Sequence, residues 1–438
     1  MEKVMNKTVK TLLAFCLAPL LSFAQNGQYA GGDISLLPSY ENSKTVYLDA
    51  NGNKITDLVT WLTTECGWNS FRVRLFVNPD NSNYDGVVQD IDYVKKLGKR
   101  IKDAGAYFML DIHYSDTWVD ATHIQSPVAW KGLTVAQKAE KMYSYTKESL
   151  ETLKNYGATP DLVQVGNEIM YGLCDVKVHP YENSGDDWDG YLSLLSNGCK
   201  AVREVCPEAK IVIHTDRPTN TAYNKFYYQK LVDAKIDFDV IGLSYYPFWH
   251  GWLTAHTDKY NYGLSNALDQ LATDFPDKKV QIVETAYNFQ YWPTSGVNYD
   301  TRDTWTCSAD GQYGFVKDLI DALAKHDNVD GLFYWCPEEA GNGDNVNWDT
   351  KEGLVINSWL NRGLWWSTSS NGHWPITSGG NATYSLIKTF LNEKYTAIEK
   401  VQVETTATEG PSYNFAGQRV SDSYKGIVVR NGKKVLKK

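Results

Sequence analysis

An α/β fold is predicted, a closed (β/α)8 TIM barrel with a small C-terminal β appendage, on three observations. Eight short apolar runs of strand length recur between residues 30 and 335. Patterns of helical period fill most of the gaps between them. No second Gly-rich strand-to-helix turn marks a doubly wound sheet, which leaves the closed barrel.

The first strand reads as AGGDIS (30–35) and the second as SFRVRLFV (70–77). Val88, Ile91, Val94, Leu97 and Ile101 then form the apolar stripe of an amphipathic helix. AYFMLDI (106–112) is the third strand, followed by a helix over 135–156. LVQVG (162–166), KIVIH (210–214), the run 238–245, KVQIVE (279–284) and DGLFYW (330–335) complete the eight. A helix over 383–394 closes a catalytic unit of residues 25–395. Residues 397–404 alternate like a strand, and Asn431-Gly432 between alternating runs signals a hairpin over 426–437. Residues 419–438 carry seven Lys or Arg and one acid. The unit 396–438 reads either as a β appendage packed on the barrel or as a sorting or docking tail.

Residues 1–24 have the form of an export signal. Lys3, Lys7 and Lys10 precede the apolar run Thr11–Leu21, and Ser22-Phe23-Ala24 is a small-x-small cleavage site. The mature chain is therefore expected outside the cytoplasm, in periplasm, at the surface or secreted. Cys16 leaves a lipoprotein reading open. Export permits disulfides among the six later cysteines, and no Cys/His spacing suggests zinc. No later apolar run reaches the roughly 20 residues of a membrane helix. A net charge of −9 argues against nucleic acid held by phosphate contacts. A monomer is expected. Aromatic residues make up 13% of the chain, with 15 Trp and 29 Tyr. A large core and a ring-lined sugar groove both account for that number.

Barrel enzymes place their chemistry where the strands end. Those ends give Asp33 and Ser35, Arg72 and Arg74, Asp111 and His113, Asn167 and Glu168, His214, Tyr245 and Tyr246, Glu284, and Trp335. Glu168 ends the fourth strand and Glu284 the seventh, so they face each other across the mouth. Glycoside hydrolysis needs such a pair of carboxyls. Spacing alone also allows each glutamate to cap a helix or pair with an arginine.

The ordered segments GGDISLLPSYE (31–41), FRVRLFVNP (71–79), DIHYSDTWVD (111–120), SPVAW (126–130), VQVGNEI (163–169), IGLSYYPFWHG (241–251), VETAY (283–287) and GLFYWCP (331–337) narrow this further. Together they resemble the arabinogalactan endo-β-1,4-galactanases of glycoside hydrolase family 53, in the retaining (β/α)8 clan. The resemblance implies a galactan substrate from pectin side chains, with Glu168 as acid/base and Glu284 as nucleophile. It implies that Asn167 holds the sugar 2-hydroxyl and that Arg72 orients the nucleophile. An adjacent Arg72 and the Tyr246 hydroxyl suit an ionised nucleophile. Trp335 and Trp118 are expected to stack on sugars, and His113 to position a hydroxyl or Glu168. Asp33, Arg74, Asp116 and Tyr245 complete the supporting set.

The chain departs from the family pattern at Ala121, at Cys336 where a glutamate is expected, at Asn288, and in IMYGLCD after Glu168. These changes leave the outer subsites open. The chemistry requires no cofactor. The loop 339–350 offers oxygen ligands for calcium, but a solvated loop is the expectation. Other clan members, a mannanase or cellulase, or a silent glycan-binding barrel, are the alternatives.

Overall fold

A computed structural model describes residues 27–42, 45–80, 86–256, 263–289, 298–341, 362–367, 376–379, 382–391, 412–413, 419–421, 426–430 and 433–437. Eight parallel strands close into a barrel: β1 (Tyr29–Asp33), β2 (Ser70–Leu75), β3 (Tyr107–Ile112), β4 (Leu162–Val165), β5 (Lys210–Thr215), β6 (Val240–Tyr245), β7 (Lys279–Thr285) and β8 (Val329–Trp335). Each predicted strand is present with its ends moved by two residues at most. Every strand pairs with its sequence neighbours, and β1 closes on β8 with Asp33 opposite Trp335.

Among the described residues, seven helices of seven residues or more pack outside: α1 (Leu58–Thr64), α2 (Ile91–Asp103), α3 (Val135–Tyr156), α4 (Trp188–Val205), α5 (Thr221–Asp233), α6 (Leu264–Asp274) and α7 (Ala309–Leu323). Helix α3 has the predicted bounds because both ends are capped. Thr134 and Gln137 form a capping box, and Gly157 ends the helix at φ 81°. Helix α2 starts three residues after Val88 because Asp90 caps it, its carboxylate accepting from the Tyr93 N–H. The helix expected over 383–394 opens instead with a 3-10 turn, Thr383–Ser385.

Strand parity sorts the side chains into two cores. Tyr29, Met109, Leu162, Val212, Val240, Val283 and Phe333 form a small cluster. Most share parity with Asp33, Asp111, Gln164, His214, Ser244 and Trp335, so one inner face carries an apolar floor and a polar mouth. Val283 and Glu284 are adjacent, yet Val283 belongs to the floor. The register explains it: Ile282 pairs with Leu243, but Glu284 pairs with Ser244, so two residues of β7 advance against one of β6. This bulge turns Glu284 toward the mouth.

The sequence did not announce a second sheet of four short strands, Ala340–Gly341, Trp365–Ser367, Ile376–Gly379 and Val46–Tyr47. Trp365 is fully buried there and stacks on Tyr384 with centroids 5.1 Å apart. Many of the chain's rings are buried packing of this kind. The predicted hairpin is present as Gly426–Arg430 antiparallel to Lys433–Lys437, with Arg430 opposite Lys433. The export signal at 1–24 and the strand expected at 397–404 lie outside the described residues. The permitted disulfides do not form: Cys66, Cys174, Cys199, Cys206, Cys307 and Cys336 are all free thiols.

Candidate active site

The site is built around Arg72, which is fully buried. Its Nη1 donates to Asp33 Oδ2 at 2.7 Å, and its Nη2 meets Asp111 Oδ2 at 2.8 Å and Glu284 Oε1 at 2.9 Å. Nε donates to Gln164 Oε1 at 3.2 Å, and Asn167 Oδ1 accepts from Nη2 at 2.8 Å. Desolvated charges need such saturation to be tolerated. Burial pushes the Asp111 carboxyl up, but Arg72, His113 and His214 together outweigh it and hold the group at about 2. The other oxygen of Glu284, Oε2, accepts from the Tyr246 hydroxyl at 2.9 Å. Both oxygens of Glu284 are therefore fixed, one by a cation and one by a neutral donor.

Glu168 is held differently. It sits at φ 46°, in the left-handed region, directly after strand β4. Such a conformation costs about 1 kcal/mol and is kept only where the surroundings enforce it. Gly166 at φ 88° makes room, since a Cβ there would meet Ile169 Cγ2 at 2.6 Å. The Glu168 N–H donates to His214 Nδ1 at 3.3 Å. That bond puts the imidazole proton on Nε2, which lies 2.8 Å from Ser244 Oγ. Ser244 Oγ in turn donates to Glu168 Oε1 at 2.5 Å. Burial and the nearby Arg72 push His214 well below its ordinary value, so this chain is neutral.

Desolvation, then Glu284, then Asp216 push the Glu168 carboxyl well above the usual range, opposed by the Ser244 hydroxyl. Glu284 is also raised by burial, but Arg72 and Tyr246 pull it back. Of the two, Glu168 keeps the proton.

The remaining predicted residues divide into those in the mouth and those elsewhere. Asn167 donates from Nδ2 to the Val119 carbonyl at 2.7 Å, which sets its orientation beside Arg72. Trp118 and Trp335 lie side by side, centroids 6.2 Å apart, with Arg74 Cζ 4.6 Å from the first ring and 5.4 Å from the second. Arg74 Nη2 lies 3.8 Å from both Asp33 Oδ1 and Cys336 Sγ. Arg362 covers Trp335 at 3.7 Å and pairs with Glu339, which is fully buried.

Three expectations need correction. Tyr245 faces away from the mouth, because strand alternation sends Ser244 and Tyr246 inward and Tyr245 outward. Its hydroxyl donates to the Gly251 carbonyl and its ring stacks on Phe315. His113 does not position Glu168: its Nδ1 accepts from the Val119 N–H, and its Nε2 lies 3.2 Å from Asp111 Oδ2. Asp116 is taken up by the Asn78 and Val128 N–H groups and clasps two loops. Ser244, which donates to Glu168, is the mouth residue that strand-end reading missed. Its only signal is an inward position one strand over from Glu284.

Among the described residues, no group of three or more His, Cys, Asp or Glu could hold a metal ion. The loop 339–350, weighed above for calcium, lies outside the described residues from residue 342 onward. No described helix is long and apolar enough to cross a membrane.

Residues 29–403 match glycosyl hydrolase family 53. A probable arabinogalactan endo-β-1,4-galactanase A of Aspergillus terreus is 34% identical over 340 residues, covering 74% of this chain and 90% of the relative. An endo-β-1,4-galactanase of Bacillus subtilis is 32% identical, covering 70% of this chain and 69% of that protein. The solved structure of an Ignisphaera aggregans GH53 catalytic domain superposes with a TM-score of 0.67 at 29% identity, covering 81% of this chain and 94% of that one.

Proposed function

The chain belongs to glycosyl hydrolase family 53, and from that premise we propose how this endo-β-1,4-galactanase acts: it is an exported enzyme that cleaves galactan side chains of pectin with retention. Glu284 is the nucleophile and Glu168 the acid/base. The observation that carries this reading is the unequal environment of the two carboxyls. Glu284 has Arg72 Nη2 at 2.9 Å and the Tyr246 hydroxyl at 2.9 Å, which favour an anion. Glu168 has no cation in hydrogen-bond contact among the described residues, and it takes one neutral donor from Ser244.

In the first step Glu284 attacks the anomeric carbon while Glu168 protonates the departing glycosidic oxygen. Forming the glycosyl ester removes the Glu284 charge, so the proton affinity of Glu168 falls. Glu168 can then take a proton from water in the second step. Ser244 occupies Oε1 of Glu168, which leaves Oε2 to carry the travelling proton. Asn167, fixed by Arg72 and the Val119 carbonyl, is placed to meet the sugar 2-hydroxyl. Trp335 and Trp118 supply a ring wall for sugar faces.

Two displacements at C1 release the β anomer. Digestion of purified galactan, with products resolved by length and anomeric NMR recorded in the first minutes, tests the reading. Internal cleavage with initial β signal supports it. An initial α signal, or cleavage of mannan or cellulose in preference to galactan, overturns it.

A further inference from the structure

Inside the mouth, Glu168 is braced by His214 on β5 and Ser244 on β6, which meet its N–H and its Oε1. Neither fixes the chain on its C-terminal side, where this left-handed residue passes into the 3-10 turn Ile169–Tyr171. A non-glycine residue stays in that conformation only where its surroundings over-determine it. The third anchor comes from outside the barrel. Ile169 is fully buried. Its carbonyl accepts from the Gly172 N–H, which closes the turn. It also accepts, at 2.9 Å, from the hydroxyl of Tyr191 on α4.

Tyr191 is itself held in place. Its hydroxyl shares a second hydrogen bond with the hydroxyl of Tyr227 on α5. A carbonyl can only accept, so the single Tyr191 proton goes to Ile169 and Tyr227 donates to Tyr191. Both rings are fully buried, and Trp188 packs edge-to-face on Tyr191 with centroids 5.6 Å apart. Tyr228 packs in the same way on Tyr227, at 5.1 Å, and its hydroxyl donates to the Ile213 carbonyl at 3.2 Å. Ile213 precedes His214. One run of phenols therefore reaches both the residue after Glu168 and the strand that carries the acceptor of its N–H. Burial raises all three phenols above their ordinary value, so the run stays uncharged. Phenylalanines would fill the same space. What the hydroxyls add is a fixed direction for the Ile169 carbonyl.

We propose that Tyr191, supported by Tyr227, is a positioning residue for the acid/base: its hydroxyl fixes the Ile169 carbonyl and so holds the Glu168 backbone in the conformation that aims Oε2 at the glycosidic oxygen. The proposal rests on the assignment of Glu168 above. Tyr191 is fully buried, touches no substrate and moves no proton. Its effect therefore falls on the steps that use the Glu168 proton and leaves the attack by Glu284 alone.

Two substrates separate this role from a structural one. Galactan needs the proton of Glu168, whereas dinitrophenyl β-galactobioside has a leaving group that departs without it. In Tyr191→Phe, kcat/KM on galactan should fall about ten-fold while kcat/KM on the aryl substrate stays within about two-fold. The single change strands the Tyr227 proton without its acceptor, which weakens the fold. Tyr191→Phe/Tyr227→Phe removes both hydroxyls, and the stranded donor with them, and should show the same fall in the galactan-to-aryl ratio. A ratio of wild-type size in a folded variant, whether both rates drop together or neither drops, would overturn the positioning role. Glu168→Ala checks the underlying reading separately. If that variant keeps the wild-type ratio, the acid/base assignment itself fails, and the role of Tyr191 with it.

Discussion

The two sides of the barrel mouth are braced by opposite means. On the Glu284 side, a fully buried guanidinium joins five side chains, Asp33, Asp111, Gln164, Asn167 and Glu284, and places a positive charge among the carboxylates. On the Glu168 side the brace is neutral, running from His214 through Ser244 to the carboxyl. Charge holds a group in one ionisation state. A hydroxyl fixes position and leaves the proton free to move. A double displacement needs one carboxylate that stays ionised until it bonds and one that exchanges a proton twice per turnover. The unequal braces support the proposed assignment of those two needs to Glu284 and Glu168.

The comparison breaks most visibly at Glu284, the proposed nucleophile. Glu284→Gln keeps shape but cannot form the ester, so kcat on galactan should fall on the order of 10^5-fold with binding retained. Turnover near wild type would remove Glu284 from its assigned role. Glu168→Ala should lower galactan cleavage by roughly 10^3- to 10^4-fold, the usual scale for a lost acid/base. With an aryl galactobioside carrying an acidic phenol, the glycosyl-enzyme should form and stall. Added azide should then restore turnover and give the β-azide. Rescue of Glu284→Ala as the α-azide, with Glu168→Ala unaffected, would reverse the two assignments.

Ser244→Ala sharpens the comparison without removing either carboxyl. The Ser244 hydroxyl stabilises the charged form of Glu168 and so lowers its proton affinity. Removing it raises that affinity further. The alkaline limb of the kcat/KM profile, where Glu168 loses its proton, should move to higher pH. The acid limb, set by protonation of Glu284, should stay in place. A fall in kcat of about ten-fold is expected from lost positioning. A uniform loss with no movement of the limb would mean that Ser244 is only structural. The smallest effect belongs to the C-terminal unit. The eight barrel strands end at Trp335 and the appendage forms its own sheet. Deleting residues 396–438 should therefore leave kcat within about three-fold, near the scatter of distant changes. A folded truncation without activity would tie the tail to the groove.

The barrel was legible because runs of strand length repeat eight times, with patterns of helical period in most of the gaps between them. The two glutamates were legible because strand ends in such a barrel converge. What escaped depended on register. The bulge that turns Glu284 inward leaves no mark on KVQIVE. Tyr245 and Tyr246 look alike in sequence, and only parity separates the buried ring from the one touching Glu284. Ser244 escaped too, because a neutral residue carries little electrostatic signature. The fate of the aromatic residues needed three dimensions too. Trp365 and Tyr384 are packing, whereas Trp118 and Trp335 line the mouth.

The free cysteines have a practical consequence. Cys66, Cys174, Cys199, Cys206 and Cys336 are buried thiols, and burial pushes Cys66 and Cys199 up to about 12. Native thiols of this kind are nearly inert to alkylation, while exposed ones react through their thiolate. They sit in different places: Cys66 just after α1, Cys199 within α4, Cys336 beside Arg74 at the mouth. A maleimide added for timed intervals, followed by peptide mass analysis, would clock when each place opens. The enzyme thus carries its own set of breathing reporters, readable without any engineered label.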